Sequence, residues 1–399
     1  MIVKPMNNLL EEFHYQAGQL LPELISIRHK LHQYPELSFQ EKETSSFIGS
    51  VLESWGIPFQ SGLAGYGLTG VLNGGATGNG LVALRADMDA LPIHEETGLD
   101  FSSRNSGVMH ACGHDVHMTC LLGAIRLLEL MKSKWGGRVQ FIFQPGEEKL
   151  PGGASLMLAE GIFHSELPQV IIGQHVQPGM KVGEVGLCPG QAMASCDELY
   201  ISITGRGGHA AMPHLANNPI TAGSTLVHRI QELLPAINEE NIPSLISIGK
   251  FNTVGGATNV IPEIVHLEGT FRCMDEGLRE KAHKGLQALC NELAAEFDAK
   301  VHLNLVKGYP CLHNNLKASE VFFELAKSYP GIETVSELPP RMTSEDFAFY
   351  SQIVPAVFYR LGTGFSSNVH TAQFIVNEDA VAIGSGLMAA LACRFLLNV

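Results

Sequence analysis

A rhythm of short apolar runs and helical stretches, broken once by a different rhythm, constrains this chain most. The runs at 68–72, 81–84, 139–143 and 170–172 are apolar and of strand length. Such runs suit strands buried on both faces of a sheet. Helical spacing of apolar residues covers 9–31 and 47–52, and predicts further helices over 117–131 and 153–161. The texture changes around 180–189. Strands are then expected at 199–203, 245–248, 264–271 and 301–305, with helices over 219–234 and 276–297. Strand, helix, two strands, helix and strand in that order form a compact α+β unit. Gly308-Tyr309-Pro310 closes it and the α/β texture resumes. The expectation is an α/β domain of residues 1–190 and 308–399 with a second domain, 191–307, inserted. At 399 residues the chain exceeds the roughly 250–300 at which a single core stops growing, which also calls for two domains.

Composition excludes several function classes. A net charge of −14, with no run of Lys or Arg, argues against nucleic acid as a partner. No stretch reads as a membrane span of about 18 apolar residues, so no membrane partner is expected. The stretch 380–397 is interrupted by Arg394 and reads as a buried helix. The start, MIVKPMNNLLEEFHYQ, places Glu11 and Glu12 where a signal peptide needs apolar residues. Eight scattered cysteines then suggest reduced thiols in a cytoplasm.

Chemistry-bearing residues gather at expected strand ends. His110-Ala-Cys112-Gly-His114-Asp115-Val-His117 offers imidazoles and a thiol, the groups that hold zinc and its neighbours. Val82-Ala-Leu-Arg85-Ala-Asp87-Met-Asp89 ends one strand in acids, and Phe141-Ile-Phe-Gln144-Pro145-Gly146-Glu147-Glu148 ends another in adjacent glutamates. Val170-Ile-Ile-Gly173-Gln174-His175 ends a third. Carboxyl ends of strands form the binding crevice of open α/β sheets, so these pieces can converge. Of Glu147 and Glu148, one carboxylate can bind a metal while the other acts as general base; a solvated turn is the alternative. His370, in Asn368-Val-His370, could be another ligand or an ordinary histidine. In the insert, Gly205-Arg-Gly207-Gly208-His209 presents His209 on a glycine-rich turn, which could also be a plain hairpin. Asn259 and Arg272 are further polar candidates. A guanidinium suits a substrate carboxylate, though Arg272 could equally be a surface ion-pair partner.

Taken in order, Arg85-Ala-Asp-Met-Asp-Ala-Leu-Pro92, His110-Ala-Cys-Gly-His-Asp115, Phe143-Gln-Pro-Gly-Glu-Glu148 and Gly207-Gly-His209 resemble the hippurate hydrolase and auxin-conjugate (IAA-amino acid) hydrolase group. That group belongs to the di-metal superfamily of aminoacylases and glutamate-releasing carboxypeptidases, and the resemblance runs from about Leu21 to the C-terminal helix. It implies a mixed-sheet hydrolase domain with an inserted ferredoxin-like lid and dimerisation domain. It also implies two divalent metals held by Cys112, His114, Glu148, His175 and His370, with Cys112 bridging. Zinc or manganese would suit that set, and cobalt or nickel are conceivable. Glu147 would be the general base. His209 would reach the site of a neighbouring subunit in a homodimer and polarise the scissile carbonyl, and Asn259 and Arg272 would line the substrate site.

The wider superfamily carries His-x-Asp where this chain has Arg85-Ala-Asp87. Arg85 cannot bind a cation, so Asp87 is read as a carboxylate that orients a ligand. Arg341-Met-Thr343 stands where glycine is more typical, which leaves that loop's geometry open. Within the opening loop Cys112 and His114 are the expected ligands, His110 and His117 shape the loop and helix start, and Asp115 orients a ligand. The expected reaction is hydrolysis of the amide of an N-acyl amino acid. A carboxypeptidase or dipeptidase on the same scaffold is the alternative, and a catalytically silent metal- or ligand-binding protein is one of another class.

Overall fold

The computed structural model describes residues 3–397; Met1 and Ile2, part of the stretch weighed as a signal sequence, lie outside them. The chain divides into two compact units. The first comprises the residues up to Gly190, His313–Pro339 and Asp346 onward, and the second Gln191–Leu312 and Pro340–Glu345. The second unit therefore takes up more than the segment 191–307, because the return segment Pro340–Glu345 folds with it.

In the first unit eight strands form one mixed sheet, as expected. Their order is Gln60–Leu63, Gly67–Asn73, Gly136–Gln144, Ala76–Asp87, Val170–Gln177, Ala356–Gly362, Glu184–Leu187, Thr334–Glu337. The central four, from Gly136–Gln144 to Ala356–Gly362, are mutually parallel. Gly67–Asn73 runs antiparallel on one side and Glu184–Leu187 on the other. The central strands are buried on both faces, which explains their continuous apolar sequences. Ala356–Gly362 occupies a central place although no separate strand is read there, because Arg360 and two aromatics interrupt its aliphatic run.

Helices Val3–Gln33, His114–Leu130 and Asp379–Leu396 pack against one another and share the core with the sheet. Asp379–Leu396 is long and apolar enough to cross a membrane by length and composition, contrary to the expectation that no stretch is. Of its residues 83% are buried, and it serves as a core helix. The helix expected from residue 117 begins at His114, one turn earlier. The parallel strands all deliver their carboxyl ends to one edge of the sheet, the place where open α/β sheets form a crevice.

The second unit is a four-stranded antiparallel sheet ordered Ser244–Val254, Ile264–Cys273, Ser195–Thr204, Lys300–Lys307. Helices Pro219–Ile237 and Glu276–Glu296 cover one face, and the connectivity is ferredoxin-like. Alternation along Ser195–Thr204 sends Leu199, Ile201 and Ile203 to the helices. Asn218 and Asp275 cap the two helices by accepting from the backbone N–H of Ile220 and Leu278.

Asp197 continues that inward row as a fully buried carboxylate. It accepts from Arg279 Nε at 3.0 Å, from His283 Nε2 at 2.6 Å and from the backbone N–H of Gly308 at 3.0 Å. Burial opposes its ionisation, but the bonds from His283 and Arg279 outweigh that and hold it down to about 2. A depressed carboxyl stabilises the fold above its unfolded pKa. That contribution is expected to disappear as pH falls from about 4 towards 2. Asp197→Ala leaves Arg279 buried without this partner and should cost about 3–5 kcal/mol in urea denaturation at neutral pH. Wild-type stability in that variant would show that the ion pair is dispensable.

Candidate metal centre

The loop from His110 enters helix His114–Leu130 through Gly113, whose φ is +81°. A Cβ there would stand 2.5 Å from Val176 Cγ2, so only glycine lets the loop lie against the neighbouring strand. This close approach puts Cys112 and His114 beside His175, near the end of Val170–Gln177. Cys112 Sγ lies 3.4 Å from His175 Nε2 and 3.3 Å from His370 Nε2. His370 Nε2 is in turn 3.2 Å from Glu148 Oε1, and His114 Nε2 is 3.9 Å from the same oxygen. All five residues expected from the resemblance as metal ligands thus meet at one place.

Two donor groups overlap, Cys112–His114–His175 and Cys112–Glu148–His370, and within each the donor atoms lie within 4.8 Å of one another. Both contain Cys112, and each group offers three donors of the kinds that hold a divalent cation. Among the described residues neither ring nitrogen of His114 has a hydrogen-bond partner, although its Nδ1 is 3.3 Å from Asp89 Oδ1, and Glu148 Oε1 also lacks one. Buried polar atoms without partners are costly, and a cation would satisfy these. His175 donates its Nδ1–H to the Val176 carbonyl at 2.7 Å, which turns the Nε2 lone pair towards Cys112. Burial and the charge of Arg360 keep its pKa well below the ordinary histidine value. His370 holds a left-handed φ of +64°, fixed by its backbone N–H donating to the Ala111 carbonyl at 2.8 Å. Backbone strain of this kind gathers at functional sites.

The other members of the opening loop play different parts. His117 donates Nδ1–H to Asp87 Oδ1 at 2.6 Å, while its Nε2 accepts the Val176 N–H at 2.9 Å. Both nitrogens are occupied. Asp115 does not orient a metal ligand, contrary to expectation. One residue after His114 on the helix, it turns to Val3–Gln33 and accepts from Arg28 Nε at 3.0 Å and His32 Nδ1 at 2.9 Å. His110 is buried, and neither of its ring nitrogens has a hydrogen-bond partner among the described residues.

Asp87 stands between Arg85 and the histidines, with Oδ2 2.8 Å from Arg85 and 3.8 Å from His114 Nε2. Burial opposes its charge, but His114, His117 and Arg85 together hold its pKa well below the carboxylate range. Arg85 also donates to Gln144 Oε1 at 3.0 Å and Asp346 Oδ1 at 2.7 Å. The carboxylate nearest the expected role of ligand orienter is Asp89, which the sequence marked only as a strand-end acid. Its oxygens accept the backbone N–H groups of Glu147 at 3.0 Å and Glu148 at 2.9 Å. Its i, i+2 spacing from Asp87 in an extended segment was the available signal.

The remaining candidates lie on the second unit. His209 is exposed on a two-residue strand paired with Val260, and the Ala210 N–H donates to the Asn259 carbonyl at 3.0 Å. His209 and Asn259 therefore occupy neighbouring turns. The Ala211 N–H donates to His209 Nδ1 at 3.1 Å, so the neutral ring carries its hydrogen on Nε2. Arg272 lies towards the other end of Ile264–Cys273, roughly 25 Å away at the rise of an extended strand. It donates to Ser344 Oγ at 2.6 Å and forms no ion pair among the described residues.

Arg85→Met would leave Asp87 and Asp346 buried without their shared cation. The expected loss is about 3–5 kcal/mol in chemical denaturation; unchanged stability would refute this role.

The sequence matches peptidase family M20/M25/M40 over residues 83–394. It is 36% identical to an N-acetyl-L-cysteine deacetylase of Bacillus subtilis, over 94% of this chain and 88% of that one. It is 33% identical to thermostable carboxypeptidase 1 of Saccharolobus solfataricus, over 97% of this chain and 99% of that protein. A Bacillus subtilis structure described as a dinuclear metal binding peptidase from the M20 family superposes with a TM-score of 0.82 at 30% identity, covering 96% of this chain and 100% of that one. With its donor cluster at the strand ends, the chain belongs to peptidase family M20/M25/M40 and is a metal-dependent amidohydrolase.

Proposed function

We propose that this protein hydrolyses the amide bond of N-acyl amino acids, in the manner of hippurate and auxin-conjugate hydrolases, releasing a carboxylic acid and a free amino acid. The observation that carries the reading is the convergence of Cys112, His114, Glu148 and His370 with His175 on one edge of the sheet, with Glu147 beside Glu148. The resemblance to a deacetylase of an N-acylated amino acid supports the substrate class.

Cys112, His114, Glu148, His175 and His370 would hold two divalent cations, zinc or manganese before cobalt or nickel. When bound, these supply a more acidic water and stabilise negative charge on oxygen. Glu147 takes a proton from the attacking water and returns it to the departing amine. His209 donates from Nε2 to the carbonyl oxygen as charge develops there. Arg272 or Asn259 anchors the carboxylate of the amino-acid product.

His209 and Asn259 sit at one end of the sheet and Arg272 at the other, too far apart for one small substrate to touch both within a single second unit. This separation supports a homodimer in which His209 serves the partner's site. The strand Ser244–Val254 supports the second unit as the dimer interface. No strand among the described residues pairs with its outer edge, and Phe251 and Val254 are exposed on it.

A carboxypeptidase or dipeptidase activity is the second reading, favoured by the carboxypeptidase relative. Hydrolysis of a panel of acetyl, benzoyl and peptidyl amino acids by the metal-loaded enzyme separates the two. Preference for peptidyl substrates would overturn the first reading. Glu147→Gln should keep bound metal, by elemental analysis, and lower kcat by about 10²–10⁴-fold. Full turnover in that variant would remove Glu147 as the base. Mixing inactive Glu147→Gln and His209→Ala subunits, with exchange verified, should restore part of the activity through hybrid sites; no recovery would reject a shared site.

A further inference from the structure

Three consecutive backbone N–H groups in the turn after Gly136–Gln144 each end on a buried carboxylate. Gly146 donates to Glu41 Oε1 at 2.7 Å, Glu147 to Asp89 Oδ1 at 3.0 Å and Glu148 to Asp89 Oδ2 at 2.9 Å. Glu41 and Asp89 come from different parts of the fold, yet one short segment links them. Ser38 Oγ donates to Asp89 Oδ2 at 2.6 Å, and the Ala90 N–H donates to the Glu36 carbonyl at 2.8 Å. Between Ser38 and Glu41, Phe39 adopts a left-handed φ of +64° and lays its ring against Gly146. A Cβ at Gly146 would stand 2.4 Å from that ring, and φ there is +62°. The segment 36–41 and the turn 146–148 are thus fitted to each other at a contact that admits only glycine.

Glu41 is fully buried, and its Oε2 has no hydrogen-bond partner among the described residues. Burial, with the Asp89 charge nearby, pushes its carboxyl up to about 7. A buried acid in this setting adds little to stability, since an apolar side chain would fill the space without the desolvation cost. Besides accepting from the backbone N–H groups of Phe39 and of Glu41 itself, it supplies one oxygen at the Gly146 amide, across to the other segment.

We infer that Glu41 is a positioning residue, whose side-chain oxygen holds the Gly146 amide and so sets the turn that presents Glu147 and Glu148. It touches neither substrate nor metal and acts through the backbone. The inference rests on the roles proposed for Glu147 and Glu148. The function requires an acceptor oxygen and no charge, so an amide can serve where a hydrocarbon of similar bulk cannot.

The test compares Glu41→Gln and Glu41→Leu in the full-length protein. Zinc affinity is measured by competition with a chromophoric chelator, and kcat and KM on an N-acetyl amino acid. Glu41→Leu should weaken zinc binding by about 10–100-fold and lower kcat by a similar factor, with KM nearly unchanged. Glu41→Gln should stay within about threefold of wild type in both. Wild-type zinc affinity and kcat in Glu41→Leu would overturn the inference, as would a Glu41→Gln variant as impaired as Glu41→Leu. If Glu41→Leu fails to fold, Glu41→Asp serves instead: it withdraws the acceptor by one methylene and should weaken zinc binding several-fold, and unaltered affinity would overturn the inference. A wild-type protein that binds zinc but hydrolyses no N-acyl amino acid would reject the proposed function alone, since the zinc comparison still decides the part played by Glu41.

Discussion

The buried guanidinium of Arg85 ties together the strand ends on which the metal centre stands. Three of its donors reach Gln144, Asp87 and Asp346, so two neighbouring parallel strands and a distant loop share one cation. Guanidinium is always charged and planar, and it offers its hydrogen bonds in fixed directions. Carboxylates on two sides offset the cost of burying it, and Gln144 adds its own bonds to Asp346. A histidine at this position would offer two nitrogens and could not span the same partners.

The donors are then brought in by short connections from this fixed base. Helix His114–Leu130 starts at the site, so His114 is held by a rigid element and the partial positive charge of the helix N-terminus lies beside the thiol and carboxylates. His175 comes directly from a buried parallel strand. His370 comes from a loop whose left-handed residue is held by a backbone bond to Ala111, next to Cys112. His175 and His370 are thus oriented by bonds of their own, through the Val176 carbonyl and the Ala111 carbonyl, and His114 by the helix that carries it.

Much of this was legible in the sequence because strand ends and donor types are local properties. The runs at 81–84, 139–143 and 170–172 marked three of the four central parallel strands, and the acids and histidine after them marked the crevice. The strand Ala356–Gly362 was harder to read, since Arg360 and its aromatics blur the aliphatic signature of a buried parallel strand. The parts played by Asp115 and Asp89 escape a local reading for a common reason. Both are acids near the donors, but Asp115 leaves the helix towards Arg28 and His32, whereas Asp89 folds under the 147–148 amides. A rotation of about 100° per helical residue separates Asp115 from His114, and no local pattern says which helix will meet that side.

Residue chemistry and period were determined by the sequence alone. They include the imidazoles, thiol and adjacent glutamates, the α/β rhythm, and the inserted strand-helix-strand-strand-helix-strand unit. Tertiary structure alone decided which groups meet across long chain separations. Glu41 reaches Gly146 from 105 positions away, and His370 reaches Cys112 from 258 positions away. It also decided that His209 and Asn259 share one end of the second unit's sheet while Arg272 lies towards the other. The physical reason is that hydrogen bonds and donor clusters depend on distances of about 3 Å. Only the packed strand order and loop geometry set distances on that scale between residues remote in sequence.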